Sequence, residues 1–415
     1  MAKTIAVVGT LDTKGVELDY LTSVIRAEGL GVIIVDVGVF PQSVVAPDFS
    51  REDVVARTGT SVSEMLSHKD RKLAVHTMRQ GGSALLRDLY GQGRFSGIIS
   101  VGGGTGTHIA SGIMRSLPIG VPKLIVSTVA SRDMSGMIGN SDITMMHAVC
   151  DLIGLNFMTR KILSDAARAI SGMVRSDLVP VQERIVVGLT SYGPLNDCAF
   201  MVQQSLEALG YEVVPFHAIG TGSMAMEEMI EQGLVTGVMD LSLHEFVDNI
   251  YDGYCKYIGP SRLVTAGKKS VPHVILPGGL DMIAFECQSQ EEVPPELRER
   301  RFLSHDFRSF VKTSREDLST IAETVAERLN RHNTPSTIVI PIKGWSKADA
   351  PGAPFWAPEI HAVFVDRIKR LCGDHISIVE CDCNINDQAC AELAVSEFQR
   401  LTNASSIGAK KETSP

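Results

Sequence analysis

The chain has 415 residues, 44% of them hydrophobic and 21% charged, with a formal net charge of −9. That length exceeds one ordinary core and predicts two or three domains, and the acidic balance, with no Lys/Arg stretch interleaved with aromatics, argues against a nucleic-acid partner. Apolar runs such as 32–35 and 271–276 are far too short to span a bilayer, and the start enters a strand with no signal-peptide core, so a cytoplasmic protein with no membrane partner is expected.

In chain order, residues 5–9, 32–37, 97–101 and 123–127 are continuous apolar runs suited to strands buried on both faces. Segments 17–28, 51–57, 69–90 and 107–115 read as the crossover helices between them. Residues 143–149 suggest another strand and 158–175 a closing helix. The pattern then restarts. Arg184-Ile185-Val186-Val187-Gly188 mirrors Thr4-Ile5-Ala6-Val7-Val8, Gly237-Val238-Met239-Asp240 mirrors Gly97-Ile98-Ile99-Ser100, and 271–276 echoes 121–126. Helices over 315–331, 360–371 and 389–400 and strands over 337–340 and 376–379 follow, with an ordered, functional-looking loop over 343–358.

The expected fold class is therefore α/β: two Rossmann-like domains, each a mainly parallel sheet with helices on both faces. The boundaries read 1–178 and 184–402, with a polar linker over 177–183 and a disordered tail over 403–415.

Ligands in such sheets bind beyond the carboxyl ends of the strands. The first strand ends in Thr10, Asp12, Thr13 and Lys14, where Lys14 suits a phosphate and Asp12 a metal or hydroxyl. Asp36 ends the second strand, where a carboxylate often meets a ribose hydroxyl. The third runs into Gly102-Gly103-Gly104-Thr105-Gly106-Thr107, a turn that opens a helix and leaves backbone amides free for an anion. Ser127, Thr128 and Ser131 follow the fourth. Asp12 reads equally as a helix N-cap and Asp36 as a surface carboxylate. Neither the P-loop pattern nor a strict G-x-G-x-x-G occurs.

In the second domain the strand ends carry Thr190 to Gly193, His217 with Gly220-Thr221-Gly222, Asp240 with His244 and Glu245, and Pro277 to Asp281. His244, Glu245, Asp281, Lys343 and Asp349 are candidate acid–base or metal groups for a cleft between the domains, His244-Glu245 also reading as a surface pair or helix start. Neither H-E-x-x-H nor G-x-S-x-G is present. The eight cysteines lack any C-x-x-C. Cys381-Asp382-Cys383 with Cys390 is their only cluster, without zinc-finger spacing, so free thiols are expected.

The glycine turn, the stretch Arg115-Ser116-Leu117-Pro118-Ile119-Gly120-Val121-Pro122-Lys123, the loop Ser127 to Ser131 and the opening Gly9-Thr10-Leu11-Asp12-Thr13-Lys14 resemble a family widespread in bacteria and fungi. That family shares the ATP-binding domain of the tomato protein conferring resistance to tomato mosaic virus. The likeness runs on through Phe216 to Gly222, Leu280-Asp281-Met282 and Lys343-Gly344. It implies a site for ATP with Mg²⁺ in the first domain, without the TIM barrel that follows in the plant protein. Gly103 to Thr107 would hold phosphates, with Lys14 and Ser131 assisting and Asp12 or Asp36 taking metal or ribose. The alternative is a hydrolase- or lyase-type enzyme acting on a small phosphorylated or carboxylated substrate. The methionine-rich stretch 134–155, read with the resemblance, predicts a homodimer or larger even assembly.

Overall fold

A computed structural model describes residues 3–40, 45–176 and 184–412. The chain divides into two units, Met1–Pro180 and Val181–Pro415. The linker expected over 177–183 lies outside the described residues.

Unit 1 alternates β1 (Thr4–Gly9), α1 (Leu11–Ala27), β2 (Gly31–Asp36), α2 (Arg51–Ala56), α3 (Val62–Ser67), α4 (Arg71–Gly91), β3 (Gly97–Gly102), α5 (Gly104–Met114), β4 (Lys123–Ser127), α6 (Ser135–Ile138), β5 (Thr144–His147) and α7 (Phe157–Arg175). The strands lie in the order β2-β1-β3-β4-β5, every pair parallel. Alternation along β1 divides its side chains between two cores. Ala6 and Val8 pack with Met78, Leu86 and Ile113 of α4 and α5, while Ile5 and Val7 pack with Leu18, Leu21, Leu163 and Ile170 of α1 and α7. Burial on both faces is why these strands read as unbroken apolar runs.

Helix α1 begins six residues before the predicted 17–28, because its first turn is capped from a distance. The Leu11 amide donates to Asp36 Oδ1 at 3.1 Å, and the helix kinks at Lys14 (φ −127°, ψ 18°). Local caps close other helices: Ser50 and Asn156 form capping boxes on α2 and α7, and Asp70 accepts from Lys72 and Leu73.

Unit 2 runs β6 (Val186–Ser191), α8 (Asn196–Ala208), β7 (Glu212–His217), α9 (Thr221–Glu231), β8 (Gly237–Ser242), α10 (His244–Asp248), α11 (Thr265–Lys268), β9 (His273–Gly278), β10 (Met282–Phe285), β11 (Phe302–Ser304), β12 (Ser309–Lys312), α12 (Arg315–Leu329), β13 (Ser336–Pro341), α13 (Pro358–Leu371), β14 (Ile376–Cys381) and α14 (Gln388–Glu412). Its six-stranded sheet is parallel, in the order β14-β13-β9-β8-β6-β7. Counted from β6, this repeats the wiring of unit 1 with one more strand. The sequence echoes fall on equivalent strands: β1 and β6, β3 and β8, β4 and β9.

Strands β10, β12 and β11 form a separate antiparallel sheet that sequence periodicity missed. Three or four residues are too few to display a period. Helix α14 reaches Glu412, through most of the segment expected to be a disordered tail. That segment carries Ala404, Ala409, Lys410, Lys411 and Glu412, all good helix formers.

Candidate functional site

In a sheet of order 2-1-3-4-5 the crevice for ligands opens where successive crossovers diverge, between the first and third strands. In unit 1 that point lies between the ends of β1 and β3, which pair through Val8 and Ser100. Gly103 is the N-cap of α5, and the Thr107 amide is the first to find the helix's own backbone, donating to Gly103 O at 2.8 Å. The glycines differ in what requires them. A Cβ on Gly102 would stand 3.0 Å from the Gly106 backbone, so packing demands glycine there. A Cβ on Gly103 would meet nothing nearer than Thr128 Oγ1 at 3.7 Å, on Gly106 nothing nearer than Val101 O at 3.9 Å, and on Gly104 nothing within 4 Å. These three leave a helix start bare.

Beside it, Asp12 and Asp36 converge over Gly38, where a Cβ would lie 2.8 Å from Asp12 Oδ2 and 2.9 Å from Asp36 Oδ1. Asp36 Oδ1 accepts from Leu11 N and Gly38 N, so this carboxylate positions the loop. Burial pushes its pKa up against those two amides, and the Asp12 charge adds to the rise. Asp12 Oδ2 accepts from the Phe40 amide at 2.7 Å, while its Oδ1 is buried with no hydrogen-bond partner. Thr107 and Ser127 join hydroxyls at 2.7 Å. Thr10 and Thr13 do the same at 2.8 Å. The Thr128 amide donates to Gly102 O, and Ser131 is exposed. The Lys14 ammonium donates to the Leu152 carbonyl.

In unit 2 the equivalent point lies between β6 and β8 and is filled with charge. Arg262 is fully buried and donates to both carboxylate oxygens of Asp240, at 2.5 and 2.6 Å, and to Glu245 Oε1 at 2.8 Å, with Glu227 at 3.6 Å. Thr190 Oγ1 and His273 Nε2 complete the shell of Asp240. Burial alone would raise the Asp240 pKa, but the guanidinium overrides it and holds the carboxyl well below its usual range. His244 stacks on Tyr192 with ring centroids 4.0 Å apart, its Nδ1 lies 3.0 Å from Gly279 O, and its Nε2 makes a 3.3 Å ion-pair contact with Asp248 outside hydrogen-bond angles. Burial works against the imidazolium, and the Asp248 charge outweighs it, so the His244 pKa stands well above the ordinary value.

A second buried cluster surrounds Asp281. Ser346 donates to Asp281 Oδ2 at 2.7 Å, and Oδ1 is buried without a partner. Asp349 accepts from Lys312 at 3.4 Å and from the Trp345 amide at 2.9 Å, with His361 Nε2 at 3.0 Å. Gly344 makes this loop possible: its φ is +116°, and a Cβ would lie 1.5 Å from Asp349 O. Burial, then the Asp349 charge, push the Asp281 carboxyl up to about 6, with Lys312 opposing them. The neighbours Met282 and Ala348 wall a cavity of about 530 Å³, also lined by Tyr192, His217, His305 and Arg308. The Tyr192 hydroxyl is buried there and unpartnered.

Residues 3–178 and 184–402 match the N-terminal and C-terminal domains of the uncharacterised protein family UPF0261. The chain belongs to this family. A UPF0261 protein of Clostridium tetani is 37% identical over 97% of this chain and 99% of its own length. The ToMV resistance protein Tm-1 of Solanum lycopersicum is 31% identical over 95% of this chain and 55% of that protein. The expectation that this chain lacks a following barrel domain is not borne out by that coverage. A solved UDP-GlcNAc 2-epimerase of Methanocaldococcus jannaschii aligns over 98% of this chain and 100% of its own at 8% identity and a TM-score of 0.22, too low to carry an argument.

Of the acid–base candidates in this UPF0261 chain, the structure buries His244, Glu245 and Asp281 within unit 2. Lys343 is exposed and pairs with Asp382 at 3.0 Å. The lysine beside the acidic cluster is Lys312, which sequence reasoning missed together with Arg262, Ser346 and His361. No periodic signal marks Lys312, since all four residues of β12 are buried. Among the described residues, no helix is long and apolar enough to cross a membrane.

Removing Arg262 would strand three buried carboxylates, and breaking a buried ion pair from one side costs about 3–5 kcal/mol. Arg262→Leu is therefore expected to lower unfolding free energy by about that amount in urea titration, whereas Arg308→Leu at the partly exposed cavity rim is expected to cost about 1 kcal/mol or less.

Asp281 gives a pH dependence of known sign. A carboxyl raised in the folded state from 3.8 to about 6 stabilises the fold while protonated, and that contribution is lost as pH rises through about 6. Asp281→Asn is expected to remove this loss. The stability difference between variant and wild type, followed by denaturant melts from pH 4 to 7, should shift in the variant's favour by on the order of 2 kcal/mol.

Proposed function

We propose that unit 1 binds ATP with Mg²⁺ at the strand ends of β1 and β3. The observation that carries this reading is that neither packing nor backbone conformation requires glycine at 103, 104 and 106. Glycine keeps the start of α5 bare, and free amides at a helix start attract phosphate through hydrogen bonds and the helix dipole. The unpartnered Asp12 Oδ1 beside Asp36 suits a hard cation with oxygen ligands. Thr105, Thr128 and Ser131 add hydroxyls along the same rim, while Thr107 is buried and joined to Ser127. The choice of ATP rests on the resemblance given above, and binding implies no hydrolysis. We place the protein in the cytoplasm on the same reading.

A second reading is favoured by one observation in unit 2. Asp281 Oδ1 and the Tyr192 hydroxyl are both buried without partners, one beside and one in the wall of the same cavity. An enzyme using Asp281 as a proton-transfer group on a small phosphorylated or carboxylated substrate would satisfy both atoms.

The ATP reading is tested by Gly104→Ala. The new methyl meets open space and improves helix propensity, so stability is expected to hold or rise by about 0.5–1 kcal/mol. Calorimetric affinity for Mg·ATP is expected to fall at least about tenfold, since the methyl occupies the phosphate's approach. Unchanged ATP heats in a stable variant would rule out this loop, and a wild type without heat would rule out the site.

We further propose a homodimer through the edge of unit 1. Met134, Ile143 and Leu152 of the methionine-rich stretch are buried, but Val149, Ile153 and Phe157 are 68%, 78% and 82% exposed near the edge strand β5. Adjacent exposed apolar side chains mark interaction surfaces. Light scattering at micromolar concentration is expected to give about twice the 44.8 kDa chain mass, and Ile153→Asp with Phe157→Ser to return it to one chain.

A further inference from the structure

The fold closes the sequence's one cysteine cluster, Cys381, Cys383 and Cys390, into a compact group of thiols. Cys381 ends β14, and a tight turn in which the Cys383 amide donates to Cys381 O at 2.9 Å brings the two side chains to the same side. Their sulfurs stand 3.0 Å apart. Cys390, in the first turn of α14, joins them: the three sulfurs all lie within 4.8 Å of one another. Cys198, in the first turn of α8, packs in the same apolar core as Cys383 and Cys390. Cys198 and Cys390 are fully buried, Cys383 is 5% exposed, and Cys381 is partly open.

Single buried cysteines pack as small apolar groups, as Cys287 does in the core beside α12. Three thiols converging from a strand end, the turn after it and a helix start are arranged differently. A helix start favours the thiolate form. Asp382 and Asp387 lie between these cysteines in the sequence and add negative charge that favours a cation. Around a tetrahedral zinc ion with Zn–S bonds of about 2.3 Å, sulfurs stand roughly 3.8 Å apart, a spacing these side chains reach by small shifts.

We propose that Cys381, Cys383 and Cys390 form a thiolate site for a soft divalent cation, Zn²⁺, in unit 2, with the fourth position left to water. The ion would staple β14 to the start of α14, and each thiol would release its proton to solvent as its sulfur binds. The site is independent of the nucleotide reading for unit 1.

The test uses the full chain, reduced and stripped with a chelator, with Co²⁺ and Zn²⁺ as probes. Co²⁺ is expected to give a thiolate-to-cobalt charge-transfer band with the visible bands of a tetrahedral site, bleached by one equivalent of Zn²⁺ per chain. Competition against a chromophoric chelator should show Cys383→Ser and Cys381→Ser weakening Zn²⁺ at least about tenfold. Cys255→Ser should bind as wild type, which separates this site from His244, Asp248 and Cys255, whose ligand atoms are also within 4.8 Å of one another. The proposal is overturned if folded wild type shows no charge-transfer band, if Cys383→Ser binds unchanged, if Cys255→Ser loses the metal, or if the cluster forms only a Cys381–Cys383 disulfide under mild oxidation.

Discussion

Parallel strands cannot be joined by tight turns; each needs a crossover that returns the chain to the starting edge of the sheet. Every strand in both large sheets therefore ends on the same side, and the loops that leave those ends share one rim. Because the first strand of each unit lies inside its sheet, the second strand takes one side and the third the other. Two neighbouring loops then turn apart and open a gap that no helix covers. The glycine loop and the Arg262 cluster stand at those two gaps.

The same wiring is filled in opposite ways. Unit 1 puts glycine and hydroxyl side chains at its gap and leaves main-chain amides exposed. Unit 2 puts three carboxylates and a guanidinium there and closes over them. Three buried acids are tolerable because the planar fork of Arg262 engages Asp240 with two donors and Glu245 with a third. A lysine, with a single compact charge, would not match that geometry.

Much of this was legible in the residues. Strands β1, β3, β4, β8 and β9 announce themselves as apolar runs because both faces are covered, and the glycine turn marks its own helix start. What stayed hidden depended on partners far along the chain. The start of α1 is capped by Asp36, 25 residues away, so no local signal marks it. Lys343 was one of the candidate acid–base groups, yet the strand pairing of β12 brings Lys312 to Asp349 instead. The thiols Cys381, Cys383 and Cys390 stood together in the sequence, but their spacing matches no zinc-finger rule, and only the turn after β14 shows how they converge.

The aromatic inventory has a practical side. The chain contains only two tryptophans, Trp345 and Trp356, and both sit in the loop that carries Asp349. Trp345 is fully buried and stacked on His361 at 4.2 Å, while Trp356 meets the same imidazole edge-on at 6.0 Å. Intrinsic indole fluorescence therefore watches one loop of unit 2 and is blind to unit 1. An unfolding trace recorded at that wavelength describes half of the molecule, and its agreement or disagreement with far-ultraviolet circular dichroism tells whether the two halves melt together.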